Sequence, residues 1–246
     1  MKTLFFAVLM AASLSGTKMA YADMASDLLK ASDGARGGVA GGLTWKTKIE
    51  TTEDGESSER EFIIKAKDHD ALVEATSPAR TKGEIYLFND RNMWFFKPSL
   101  KKPVSISPRQ KLSGQAANGD IASTHYARDY TATLEKTETR GADKIYVLML
   151  KAKSPNLTYD QIRYYINGKT KLAEKAEFLT LQGQVFKVGE MEYNNFITIG
   201  GKKSPFVSKM SIVDAKFKEN KSVINYEEPK TENHAAALFN INNLSR

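Results

Sequence analysis

The stretch Ile85 to Pro98, IYLFNDRNMWFFKP, decides how the rest of the chain is read. Ile85-Tyr86-Leu87-Phe88 and Met93-Trp94-Phe95-Phe96 are two short apolar runs separated by the polar turn Asn89 to Asn92, a β-hairpin. Both runs are apolar at every position. A sheet that turns one face to water alternates apolar and polar residues, so here both faces must be covered, or one must line an apolar cavity. A third run of this kind, Ile145-Tyr146-Val147-Leu148-Met149-Leu150, lies further on. Filled cores and ligand cavities use the same residue types, so both readings stand at this point.

Upstream, Trp45, Thr47 and Ile49 alternate with Lys46, Lys48 and Glu50, and Asp54-Gly55 turns the chain into a partner run over Glu61 to Lys67. Further runs follow at Ala71 to Ser77, Glu84 to Phe88, Asn92 to Lys97, Val104 to Ser107, Tyr130 to Thr139, Lys144 to Lys153 and Tyr159 to Ile166. The series ends with Ala173 to Leu181, Val185 to Glu192, Phe196 to Ile199, Phe206 to Lys216 and Ser222 to Tyr226. Asn167-Gly168, Gln182-Gly183 and Gly200-Gly201 supply tight turns, which makes the series an antiparallel meander and not βαβ units. Met24, Leu28 and Leu29 recur at helical spacing over Asp23 to Ser32, and the glycines of Gly34 to Gly42 end that helix. The polar loop Pro108 to Arg128 is long enough to act as a lid, with a short helix expected over Ile121 to Tyr130. A closing helix is expected within His234 to Leu244.

The amino terminus carries Lys2, an apolar run from Leu4 to Leu14 and the small-residue end Ala20-Tyr21-Ala22, the order of a secretory signal peptide with cleavage after Ala22. The run is well short of the ~20 residues that span a bilayer. Residues 23–246 are then expected to form one domain. The chain has no cysteine, so disulfides, thiolate chemistry and a lipid on an N-terminal Cys are excluded. Removing Lys2 and Lys18 from the 36 basic residues leaves 34 against 29 acidic ones, a mild net charge of +5. Export and this even spread argue against nucleic acid.

No zinc-protease helix, nucleophile elbow, phosphate loop or dinucleotide fingerprint is present, so the expectation is a non-enzyme. Asp68-His69-Asp70 has metal-ligand residue types, but neighbours on a strand point to opposite faces, so a polar turn is expected there and no metal or cofactor. The densest basic cluster is Lys97, Lys101, Lys102, Arg109 and Lys111.

The hairpin Ile85 to Pro98 with the following SLKKPVSISPRQ resembles the outer-membrane lipoprotein-sorting family, the LolA-like proteins. Leu28-Leu29, Ser32-Asp33, Arg36-Gly37, Tyr126 to Tyr130 and Phe239 to Leu244 sit where such proteins have counterparts. The resemblance implies a mainly β fold with a few helices: a curved antiparallel sheet forming an incomplete barrel of about eleven strands, with short helices lidding an apolar cavity for acyl chains. Lipoprotein carriers of this kind place an arginine just before a proline ahead of the hairpin; here Ser77 precedes Pro78, and Arg80 lies nearby. Each buried CH₂ is worth ~0.8 kcal/mol, so a sixteen-carbon chain costs roughly 12 kcal/mol to expose, and a carrier must enclose it.

The function that follows is a monomeric periplasmic carrier of lipoprotein acyl chains or lipid, moving cargo toward the outer membrane, with an inner-membrane transporter as a candidate partner. The alternative is a sensor or accessory module of the same fold. One-face sets from the doubly apolar runs make Ile85, Leu87, Trp94, Phe96, Tyr146, Leu148 and Leu150 the expected wall, a choice that a one-residue register change inverts. Arg80, Lys101 and Lys102 are the expected headgroup or partner contacts.

Overall fold

Strand β1 (Leu43–Glu53) shows how local sequence becomes tertiary structure: Leu43, Trp45, Thr47 and Ile49 are buried, while Lys46 and Glu50 face solvent. Asp54 and Gly55 take positive φ (52° and 83°), the twist a two-residue hairpin needs. They return the chain as β2 (Glu56–Lys67) in unbroken register from Leu43↔Ala66 to Glu53↔Glu56. The computed structural model describes residues 13–39, 41–122 and 125–244. The expected signal-peptide start, residues 1–12, lies outside them.

After β2 come β3 (Asp70–Ser77), β4 (Ile85–Asn89), β5 (Asn92–Phe96) and β6 (Val104–Ile106), each antiparallel to the one before. The second half holds β9 (Tyr130–Arg140), β10 (Asp143–Ala152), β11 (Gln161–Asn167), β12 (Ala173–Leu179) and β13 (Val185–Glu192), also a meander. β16 (Lys209–Asp214) and β17 (Lys221–Thr231) join the halves, because β16 pairs with β13 and β17 with β1. The product is one thirteen-stranded antiparallel sheet with β6 and β9 as its unpaired edges. It is curved and not closed into a barrel, as expected, with thirteen strands where about eleven were anticipated. Two ribbons stand outside it: β7 (Lys111–Ser113) with β8 (Ala116–Ala117), and β14 (Asn195–Ile199) with β15 (Lys202–Phe206).

The helix expected over Asp23 to Ser32 is α1 (Ser13–Gly34), which begins earlier and packs on β9 and β11. The helix expected over Ile121 to Tyr130 is divided. A 3₁₀ turn occupies Asn118–Ile121, α2 is one turn over Tyr126–Asp129, and Tyr130 already opens β9. The carboxy-terminal helix is likewise two 3₁₀ turns, Ala236–Phe239 and Ile241–Asn243.

The inner face of the sheet carries the main core, from Trp45, Ile64 and Val73 round to Leu148, Tyr164 and Ile224, with Leu28 and Leu29 of α1 laid onto it. Two separate apolar clusters lie apart from it. Leu72 and Leu87 pack against Phe239 and Leu244 of the carboxy-terminal tail, and Ile145, Val147 and Tyr165 form the other. These satellites explain why the three runs within β4, β5 and β10 are apolar on both faces: β4 and β5 are roofed by the tail, and β10 packs with Tyr165 of its neighbour β11.

Candidate functional site

The last turn of α1 and the glycine-rich bend after it carry Ser32, Asp33 and Arg36 into the interior, all buried. Arg36 extends its guanidinium over the ring of Tyr126, 4.7 Å from the centroid, and donates a long 3.4 Å hydrogen bond to the Tyr164 hydroxyl. Tyr126 packs edge-on against Tyr130 and Tyr164, at 5.2 and 5.6 Å. An Asp33 carboxylate oxygen, Oδ2, accepts a 2.8 Å hydrogen bond from the Ala127 backbone N–H, tying α1 to α2. Burial pushes the Asp33 carboxyl up to about 7, against the opposing pull of the Ala127 N–H and the Arg36 charge.

A second buried polar group sits under the 3₁₀ turn. Asp120 accepts hydrogen bonds from the Ala117 N–H (2.8 Å) and from the Tyr159 hydroxyl (2.9 and 2.8 Å to its two oxygens), and Tyr159 stacks on Phe178 at 3.9 Å. Burial raises the Asp120 carboxyl and lowers the Lys187 ammonium, and each charge partly offsets the other's shift. Lys187 donates to the Gln115 carbonyl at 2.6 Å. The polar loop thus plugs one end of the interior, held by these hydrogen bonds and by Leu112, Ala116, Ile121 and Tyr126, which join the main core.

The open side of the sheet is stitched by charge. Arg128 pairs with Asp90 (2.8 Å) and Asp129 (2.8 Å), Arg91 with Asp129 (3.2 Å), and Arg109 with Asp160 (2.7 Å). Lys153 donates to the carbonyls of Ala127 and Arg128, the His125 ring bonds the Asp68 carbonyl, and the His69 ring meets His125 edge-on at 4.5 Å. Burial, then the neighbouring His69, lowers the His125 pKa. A cavity of about 40 Å³ opens at this seam between Phe88, Met93, Arg128 and Leu157. That is far below the ~300–1,000 Å³ of pockets that hold a small ligand. A larger groove, about 540 Å³, runs along α1 beside Met24, Leu28 and Lys171.

The seven expected wall residues divide between the faces. Leu148 and Leu150 lie in the inner core with Tyr146 packed on it, whereas Ile85, Leu87, Trp94 and Phe96 belong to the cluster under the carboxy-terminal tail. On β4 and β5 it is Tyr86, Phe88 and Met93 that face inward. Arg80 is exposed beside Pro78, and Lys101 and Lys102 are exposed on the β5–β6 loop. Among the described residues no three metal-ligand side chains gather, around Asp68-His69-Asp70 or elsewhere. Asp33, Arg36 and Tyr126 stand among the residues with counterparts in the resembling family, but neither they nor Tyr164 and Tyr226 are among the expected site residues. The available signal was a charged residue set among glycines directly after an apolar helix face.

A family model described as "uncharacterized protein" matches residues 67–246. No curated protein matches the sequence. Among solved structures, a LolA superfamily protein from Nitrosomonas europaea is 28% identical with a TM-score of 0.79, covering 89% of this chain and 98% of that one. A DUF1329 family protein from Desulfovibrio piger (18% identity, TM-score 0.75, 91% and 99% covered) shares the fold. So does an outer-membrane lipoprotein-sorting protein domain from Vibrio parahaemolyticus (18%, 0.75, 92% and 100%). No helix among the described residues is long and apolar enough to cross a membrane. The chain therefore belongs to the family whose model spans residues 67–246, and it is a LolA-like protein.

Proposed function

We propose that this protein is a periplasmic carrier that buries the acyl chains of a lipoprotein or lipid on the inner face of its sheet and ferries them toward the outer membrane. It works by reversible burial, not catalysis. The observation that carries this reading is the build of the interior: an apolar inner face running through both meanders, covered by α1, α2 and the 107–122 segment. The cover is attached along its rim by hydrogen bonds and ion pairs. In the state described here the cover itself fills the interior, so a hydrocarbon chain enters by displacing it. Exposed ion pairs are worth little each, about 0–1 kcal/mol, so the cover is held mainly by the apolar contacts of Leu28, Leu29, Leu112, Ile121 and Tyr126, which an entering hydrocarbon chain replaces.

Export follows the signal-like leader. Cleavage after Ala22 leaves residues 23–246 as one domain and keeps Ala25, Leu28 and Leu29, the part of α1 that packs on the sheet. Native mass spectrometry of protein released gently from its own periplasm tests both steps. A chain beginning at Asp23 with bound lipid or acylated peptide is expected. A protein that stays empty after exposure to acylated peptide and lipid vesicles overturns carriage.

A second reading, an accessory module that docks on a membrane partner, is favoured by one feature. The β14–β15 ribbon packs on β17 through Ile197 and Phe206 but exposes Phe196 (49%) and Ile199 (38%) beside Lys202 and Lys203, an apolar tip that a monomer has no internal use for.

A further inference from the structure

Charged side chains are rarely buried without a counter-charge, because leaving water costs several kcal/mol per ion unless partners replace the hydration shell. Arg36 is 4% exposed, has five N–H donors, and meets among the described residues one long hydrogen bond, to Tyr164, and one aromatic face, that of Tyr126. Among the described residues no carboxylate is in salt-bridge contact with it. Asp33, on the same turn, has one oxygen on the Ala127 N–H and leaves the other, Oδ1, without a partner.

The groups around it are under-used in the same way. Ser32 Oγ, Trp45 Nε1 and Thr47 Oγ1 are buried with no hydrogen-bond partner among the described residues. They share one neighbourhood. Thr47 stands directly opposite Tyr226 in the β1–β17 ladder, Phe206 lies between Trp45 and Tyr226 (5.7 and 6.4 Å), and Ala35 next to Arg36 accepts the Val207 N–H at 2.8 Å. Native interiors hold few unsatisfied polar atoms, so a concentration of them calls for an explanation. Here they gather around a cation and offer donors: guanidinium, indole N–H and two hydroxyls.

We propose that the interior between the end of α1 and strands β1 and β17 is a binding site for the anionic head of an amphiphile, a carboxylate or phosphate received by Arg36 with its tail along the apolar inner face. This rests on the carriage reading and sharpens it, since it names the cargo as acidic. The planar guanidinium fork fits two oxygens of either head, and the Trp45 N–H and the Ser32 and Thr47 hydroxyls supply further donors within the same interior. Asp33, on the same turn, is the competing anion.

The test is a set of fluorescence titrations with cis-parinaric acid, its methyl ester and a parinaroyl phosphatidic acid, on the wild-type chain and on Arg36→Met and Arg36→Lys. Hydrogen bonds to a buried charge contribute enough that the acid is expected to bind at least ten-fold more tightly than the ester. Arg36→Met is expected to abolish that preference while leaving ester binding as it was, and Arg36→Lys to keep part of it. Arg36→Met replaces a buried ion by an apolar side chain of similar length, so the fold is expected to survive, which a melting curve checks. The wild-type comparison of acid with ester decides the matter even where a variant fails to fold. Equal binding of acid and ester overturns the anionic site and leaves carriage standing; binding of neither overturns both. An acid preference that survives in Arg36→Met also overturns it. A wild-type preference for phosphatidic over parinaric acid identifies a phospholipid head as the source, and the reverse identifies a free fatty acid.

Discussion

The two sides of the β4–β5 hairpin, five residues a strand, are packed by opposite rules. Inward, Tyr86, Phe88 and Met93 join a core that also contains Arg36, Asp33, Asp120 and several buried polar atoms without partners. Outward, Leu87 with Ile85, Trp94 and Phe96 meets Phe239, Leu244, Leu238 and Ile241 in a second apolar cluster. The tail's polar groups here are satisfied: Asn89 donates to the Phe239 carbonyl at 3.0 Å, and His234, buried edge-on to the Phe239 ring, bonds Thr44 and the Leu43 carbonyl. A surface built for stability alone is dry and satisfied, like the back of this hairpin. The front tolerates orphaned polar atoms and a half-neutralised acid, costs that a fold keeps where a ligand can offset them.

The sharpest way to break this contrast is Phe239→Ala. Phe239 is 2% exposed, and removing it leaves a cavity in the roof. A loss of about 3–5 kcal/mol in denaturant unfolding is expected, with probe binding in the folded protein unchanged. Loss of binding without loss of stability would instead place the cargo on the back of the hairpin.

Asp33 tests the front. Its carboxyl sits at about 7 in the folded chain against 3.8 as the ordinary value. The folded state therefore holds a proton that the unfolded state has lost throughout that window. Stability is full below about pH 4, falls as the pH rises toward 7 and levels off above it, by up to about 4 kcal/mol. Asp33→Asn keeps an oxygen for the Ala127 N–H and removes the titration, so its stability is expected to vary much less between pH 4 and 7. Parallel curves for the two proteins would mean that Asp33 is hydrated and ionised.

The smallest effect is expected at the seam. Arg128→Ala removes the pairs with Asp90 and Asp129, which costs about 1 kcal/mol or less and fades in high salt. Probe association should quicken if the rim pairs hold the cover down. An unchanged association rate argues that the cover opens elsewhere, along α1.

Much of the architecture was readable in the residues. The alternation Trp45-Thr47-Ile49, the Asp54-Gly55 turn and the spacing of the later runs specify an antiparallel meander, because period-two side chains and tight turns act over neighbours in the chain. The breaks were less readable. α2 is a single turn because Tyr130 is claimed by the β9–β10 ladder, and the tail is two 3₁₀ turns because it must lie flat across β3 to β5. Local pattern does not see such long-range claims.

The wall residues show the division most plainly. Periodicity correctly groups Leu148 with Leu150, and Leu87 with its cross-strand partner Trp94, as residues of one face. Which face curls inward depends on what lands on each side: α1 on one, and a tail about 150 residues away on the other. Side-chain alternation and turn chemistry are local, so the residues alone require strands covered on both sides and paired as a meander. Which side became the interior, and the burial of Arg36 there from a glycine-rich bend, depends on contacts between residues far apart in the chain, which local pattern does not carry.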